Sequence, residues 1–117
     1  MLPTDDPVVY RAARSKRWIG SDERPTIEAF RRRPPNNPAC DENGLSVVAS
    51  LELAVSLFGH GAIEISVAKL AAIGLSIVPD DDHFAIAGVP YDTAENYSEV
   101  LRYANAIIEC CGKTFRP

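Results

Sequence analysis

Three consecutive arginines, Arg31, Arg32 and Arg33, open the most specialised stretch of the chain, AFRRRPPNNPACDENGLSVV. A guanidinium presents a planar fork of donors that matches phosphate or carboxylate bidentately, so this run is the first candidate for recognition of an anion. In an extended segment Arg32 faces opposite to Arg31 and Arg33. Pro34, Pro35 and Pro38 then stiffen the backbone, and Asn36, Asn37, Asp41 and Asn43 can close turns on their own main chain. The loop over residues 36–43 is therefore expected to be ordered and closed against the body of the domain. The competing use of the arginines is structural: pairing with Asp41, Glu42 or the acidic run Asp80-Asp81-Asp82.

That acidic run is followed by His83, which makes a second chemical candidate. Three carboxylates and an imidazole can hold a cation. However, consecutive side chains point in different directions, and the spaced ligands, glycine and distal glutamate of a calcium loop are missing. A solvated hairpin turn is expected there and no metal. His60, between Gly59 and Gly61, is placed to meet the carbonyls at a helix end. Ser46 in GLSV is not in a G-x-S-x-G elbow, and the glycines form neither G-x-G-x-x-G nor a P-loop.

The elements that must position these residues are legible from pattern. At 117 residues the chain fits one domain, 1–117, with a core of its own. Hydrophobic residues at 46% and charged residues at 24% exclude a disordered chain, and no apolar run approaches the roughly 20 residues of a membrane span. The three cysteines, Cys40, Cys110 and Cys111, lack metal-site spacing, and an odd count suits a reducing, cytoplasmic compartment. Residues 1–33 carry eight Arg and Lys against five acids, whereas residues 34–117 carry four against eleven. An acidic body of that kind argues against a nucleic-acid surface.

Residues 7–12 read as a strand entered through a proline. Residues 14–23 read as turns anchored by Trp18 and Ile19, and residues 25–30 as one or two helical turns. A second strand covers 44–49. Ser50 is a fit N-cap for a helix over 51–58 stopped by Gly59. Alternation predicts a strand over 62–66, and a short helix over 67–73 ends at Gly74. Strands at 75–78 and 83–87 read as a hairpin. Asp92 and Glu95 have capping-box spacing for a final amphipathic helix whose apolar stripe is Ala94, Tyr97, Leu101, Ala104, Ile108 and Cys111, closed by Gly112. The expected fold is α+β: a mixed, largely antiparallel sheet of about five strands, two short helices and a long C-terminal amphipathic helix.

Tyr10-Arg11, then Ala29-Phe30 with Arg32-Arg33-Pro34, then Asp41 and Gly44-Leu45-Ser46-Val47, resembles a small bacterial domain family with no established activity. Ile73-Gly74-Leu75, Asp82-His83 and Gly88-Val89-Pro90 fit the same pattern. A weaker resemblance is to ADP-ribosyltransferase-like folds. It implies Arg11 on the first strand and Ser46 on a later one beside a bound NAD, with a polar role for His83. The catalytic glutamate of those folds has no counterpart: Asp80, Asp81 and Asp82 lie in a turn, and Glu95, Glu99 and Glu109 on the last helix. The expected function is a small non-catalytic binding or accessory module. Its candidate contacts are Arg11, Arg31, Arg32, Arg33, Ser46 and His83, its partner a protein or a small anion, with no cofactor. The alternative is an ADP-ribosyltransferase-like NAD-binding enzyme, or a degenerate relative, with Arg11, Ser46 and the Arg31–Arg33 loop around the dinucleotide.

Overall fold

The computed structural model describes residues 7–34 and 43–117. It is α+β, as the sequence pattern expects, with the strands divided between two antiparallel three-stranded sheets. Strands β1 (Val8–Ala12), β3 (Ala62–Ser66) and β6 (Cys111–Phe115) form one sheet in the order β1-β3-β6. Strands β2 (Leu45–Val47), β5 (His83–Ala87) and β4 (Ser76–Asp80) form the other, in the order β2-β5-β4. The sheets meet where Tyr10 of β1 pairs with Val48 just beyond β2, each residue's N–H donating to the other's carbonyl at 2.8 Å.

Helix α1 (Leu51–Phe58) begins where the Ser50 hydroxyl accepts from the Leu53 N–H, and ends at Gly59 in the left-handed region, φ 75°. Ala54 is its buried residue and packs with Ala12, Val48 and Ala62 in a small cluster under the helix. Helix α2 (Val67–Ala72) is capped by Ser66 in the same manner. The β4–β5 hairpin pairs Asp80 with His83, so its turn is only Asp81 and Asp82, with Asp81 at φ 55°. Pro79 is accommodated because β4 lies at a sheet edge, where one side of the strand needs no ladder donor.

The main core lies between the two sheets and α3 (Tyr97–Ile108). It takes Val9, Ile63 and Ile65 from one sheet, Leu45, Val47 and Ile86 from the other, and Phe30 and Ile107 from the flanking turns and helix.

Three local readings change in the structure. The capping contact before α3 belongs to a 3-10 turn over Ala94–Asn96, where the Thr93 N–H and hydroxyl donate to Asn96 Oδ1, while the Asp92 carboxylate is occupied by Arg31. The buried residues of α3 are Val100, Ala104 and Ile107; of the expected stripe Ala104 is buried, Leu101 and Ile108 are half-buried, and Ala94 and Tyr97 are exposed. Cys111 and Gly112 start β6, a strand the pattern does not show. Lys113 and Thr114 give this segment little apolar alternation, and it is held as a strand by pairing with β3, across a register irregularity between Ile63 and Ile65.

A cleft between the sheets

Local packing explains the GLSV run. A Cβ on Gly44 would stand 2.1 Å from the Ile86 carbonyl oxygen, and its φ is 134°, so only glycine lets β2 approach β5 this closely. Leu45 and Val47 then point inward and are fully buried, while Ser46 between them is left half-exposed on the opposite face. That face is one wall of a cleft of about 240 Å³ lined by residues of β1, β2, α1 and the start of β5.

Its polar end is a short network. Ser46 Oγ lies 3.4 Å from His83 Nε2. The same nitrogen faces Asp80 Oδ2 at 3.1 Å, and Asp80 Oδ1 in turn accepts from Asn43 Nδ2 at 2.7 Å. On the other side of the ring, Nδ1 faces Asp82 Oδ1 at 3.3 Å, but that carboxylate is 99% exposed. The nearer and less exposed carboxylate is that of Asp80, so Nε2 stands within reach of both Asp80 and Ser46.

The opposite wall is apolar. Leu53, Leu57 and Phe58 project from α1 with 43–46% of their surface exposed. The Arg14 guanidinium lies over the Phe58 ring at 4.9 Å from its centre.

Arg11 forms part of the cleft lining yet is itself 2% exposed. It occupies an inward position on β1 in phase with Val9 and Ala13. Its Nε donates to the Ala29 carbonyl and its Nη1 to the Ser46 carbonyl at 2.8 Å, with the guanidinium 4.7 Å from the centre of the Trp18 ring. One side chain thus ties the helical turn Ile27–Phe30 to β2 and fixes the strand that carries Ser46.

The structure brings Arg11, Ser46 and His83 to one cleft, and takes the arginine run elsewhere. Arg31 Nε donates to Asp92 Oδ2 at 2.6 Å. Arg32 Nη1 donates to the Val89 carbonyl, and its guanidinium stacks 3.8 Å from the Tyr91 ring centre. The Arg32 carbonyl accepts from the Asp92 N–H, in a parallel bridge between Arg32 and Tyr91. Arg33 lines a separate shallow depression with Arg31, Pro34 and Asp92. Arg31 and Arg32 therefore clip the loop before α3 to the segment after Phe30. The acidic partner of Arg31 is Asp92, which the sequence reading assigned to a helix cap; Asp41 and Glu42, and the loop over residues 36–42, lie outside the described residues. Pattern reading also missed the apolar wall of α1 and Arg14. The signal was present, because Leu53, Leu57 and Phe58 cannot all share the Ala54 face of a helix.

Burial raises the Cys110 and Cys111 thiols above their ordinary range; for Cys111 the value is pushed up to about 12, by desolvation first and then by Cys110 and Glu109. Neither lies at the cleft. No described helix is long and apolar enough to cross a membrane. The chain matches no family model, no curated protein and no solved structure.

Proposed function

We propose that this chain is a small, non-catalytic binding domain that receives its ligand or partner group in the cleft between β1, β2 and α1. The observation that carries this reading is the meeting of an exposed apolar helix wall with a polar end at Ser46 and His83 in one cleft. An apolar concavity with a few convergent polar groups is the usual form of a binding site. Free thiols at Cys110 and Cys111 support a reducing, cytoplasmic setting.

A second reading, an ADP-ribosyltransferase-like NAD enzyme, is favoured by the meeting of Arg11, Ser46 and His83 in one cleft. Against it stand the size of the cleft and the absence of a glutamate among its described lining residues. Ligand pockets usually run to roughly 300–1,000 Å³, and a dinucleotide needs the upper part of that range.

Amide chemical shifts recorded while small apolar fragments are added separate the two. We expect changes centred on Ser46, Val48, Leu57 and His83, and nicotinamide release from NAD no faster than without protein. Fragment-induced changes confined to other surfaces would remove the binding reading. Nicotinamide release that Ser46→Ala abolishes would establish the enzyme in its place.

A further inference from the structure

We infer that the cleft receives an extended peptide, which pairs antiparallel with the free side of β1 at Ala12 and sets one apolar side chain against α1. This rests on the binding reading above and adds the ligand's chemistry to it. The first observation is an interrupted ladder. The Pro7 carbonyl accepts from the Val67 N–H and the Ala13 N–H donates to the Gly61 carbonyl, so by strand alternation the odd-numbered residues of β1 face β3. The even-numbered ones face the other way, where Tyr10 spends both main-chain groups on Val48. Ala12 is next in phase, and Ser46 is the residue that the same register would set opposite it, yet the bridge ends before them.

The phase of β2 agrees. Asp80 and His83 close a two-residue turn, so His83 and Ala85 face β4, and Phe84 and Ile86 face Val47 and Leu45. The main chain of Ser46 is thereby turned toward β1. Its carbonyl accepts from Arg11 Nη1, which leaves the Ser46 N–H and both main-chain groups of Ala12 with no partner among the described residues. Both residues line the cleft, and Ala12 is only 8% exposed. Main-chain groups in so enclosed a place are seldom left unpaired.

The second observation is the register this imposes. A residue paired directly opposite Ala12 carries its side chain on the same face as Ala12, which packs under α1 with Ala54. That side chain therefore meets Leu53, Leu57 and Phe58, the exposed apolar wall. Third, Ala12 offers one donor and one acceptor at strand spacing, which the carbonyl and N–H of a single peptide residue match together. About 240 Å³ lies below the usual range for small-molecule pockets and suits one apolar residue of a chain that continues out of the cleft.

The test titrates the full chain with the capped peptide acetyl-Ser-Val-Leu-Val-Ser-amide and with two copies, one N-methylated at the leucine and one at the valine after it. Calorimetry gives affinity, and amide hydrogen exchange gives location. In the free protein the Ala12 and Ser46 amides should exchange faster than those of Ala13 and Val47, and bound peptide should slow Ala12 by at least about tenfold. Methylation at the leucine removes the donor that meets the Ala12 carbonyl and should weaken binding by about tenfold, whereas the next N–H faces away from β1 and its methylation should leave affinity unchanged. Leu57→Ser should weaken the parent peptide by about tenfold. Its melting temperature shows whether it is folded; if it is not, the three peptides compared on the parent protein decide. Equal affinity for the two methylated peptides, or an Ala12 amide as protected as Ala13 before peptide is added, overturns strand addition while leaving the cleft as a binding site. If no peptide perturbs the cleft but apolar fragments do, the peptide assignment fails alone. If neither does, the binding reading fails with it.

Discussion

Among the described residues Arg11 is the charged side chain that is buried, and it bridges two elements. Two N–H groups of its one guanidinium donate to carbonyls on different elements, and a lysine at the same place has one ammonium and no planar geometry with which to reach both. Arg11→Lys is therefore expected to lower the unfolding free energy by about 3 kcal/mol, since it strands a buried acceptor; urea denaturation measures it, and a loss below about 1 kcal/mol would mean that water replaces the missing contact. Cys111 gives a prediction of the opposite character. Its thiol is shifted from the ordinary 9.0 to about 12 in the folded chain, so between those values the unfolded chain has lost the proton and the folded one has kept it. Stability contributed by the group is whole below pH 9 and is lost as pH rises toward 12. Denaturation midpoints should fall across that window, and less steeply in Cys111→Ala. At this scale the sequence showed which residues carry chemistry and not where they point. Arg11, Ser46 and His83 are apart in the chain and meet only through strand pairing, whereas the arginine run drew attention by composition and the partner of Arg31, Asp92, lies some sixty positions away.

At the scale of elements, α3 is the instructive case. Its existence was legible from periodicity, but its phase was not. Arg31 holds Asp92, the Thr93–Asn96 capping box belongs to a 3-10 turn over Ala94–Asn96, and α3 begins after it with Val100, Ala104 and Ile107 buried. Ile107→Ala should cost about 2–4 kcal/mol, the range for a fully buried aliphatic side chain, and Leu101→Ala clearly less. Thermal unfolding of the pair decides; equal losses would put the expected stripe back in contact. The helices with a serine before them and a glycine after them, by contrast, begin and end where the sequence says, because caps act locally. Strand β6 was invisible for the converse reason: its conformation comes from β3, some fifty residues earlier, and not from its own side chains.

For the whole molecule, the α+β class and the antiparallel pairing follow from pattern, whereas the partition into two sheets does not. Pairing between β1 and the end of β2 stops after Tyr10 and Val48, and only three-dimensional packing decides where a ladder breaks. That narrow junction has an energetic corollary. Two sheets joined by one residue pair look like two independent units, yet Val9, Ile63 and Ile65 share their apolar contacts with Leu45, Val47 and Ile86. Neither sheet owns an interior, so neither can persist when the other melts. The shared interior therefore predicts one cooperative unfolding transition, seen at the same midpoint by far-ultraviolet dichroism and by Trp18 fluorescence.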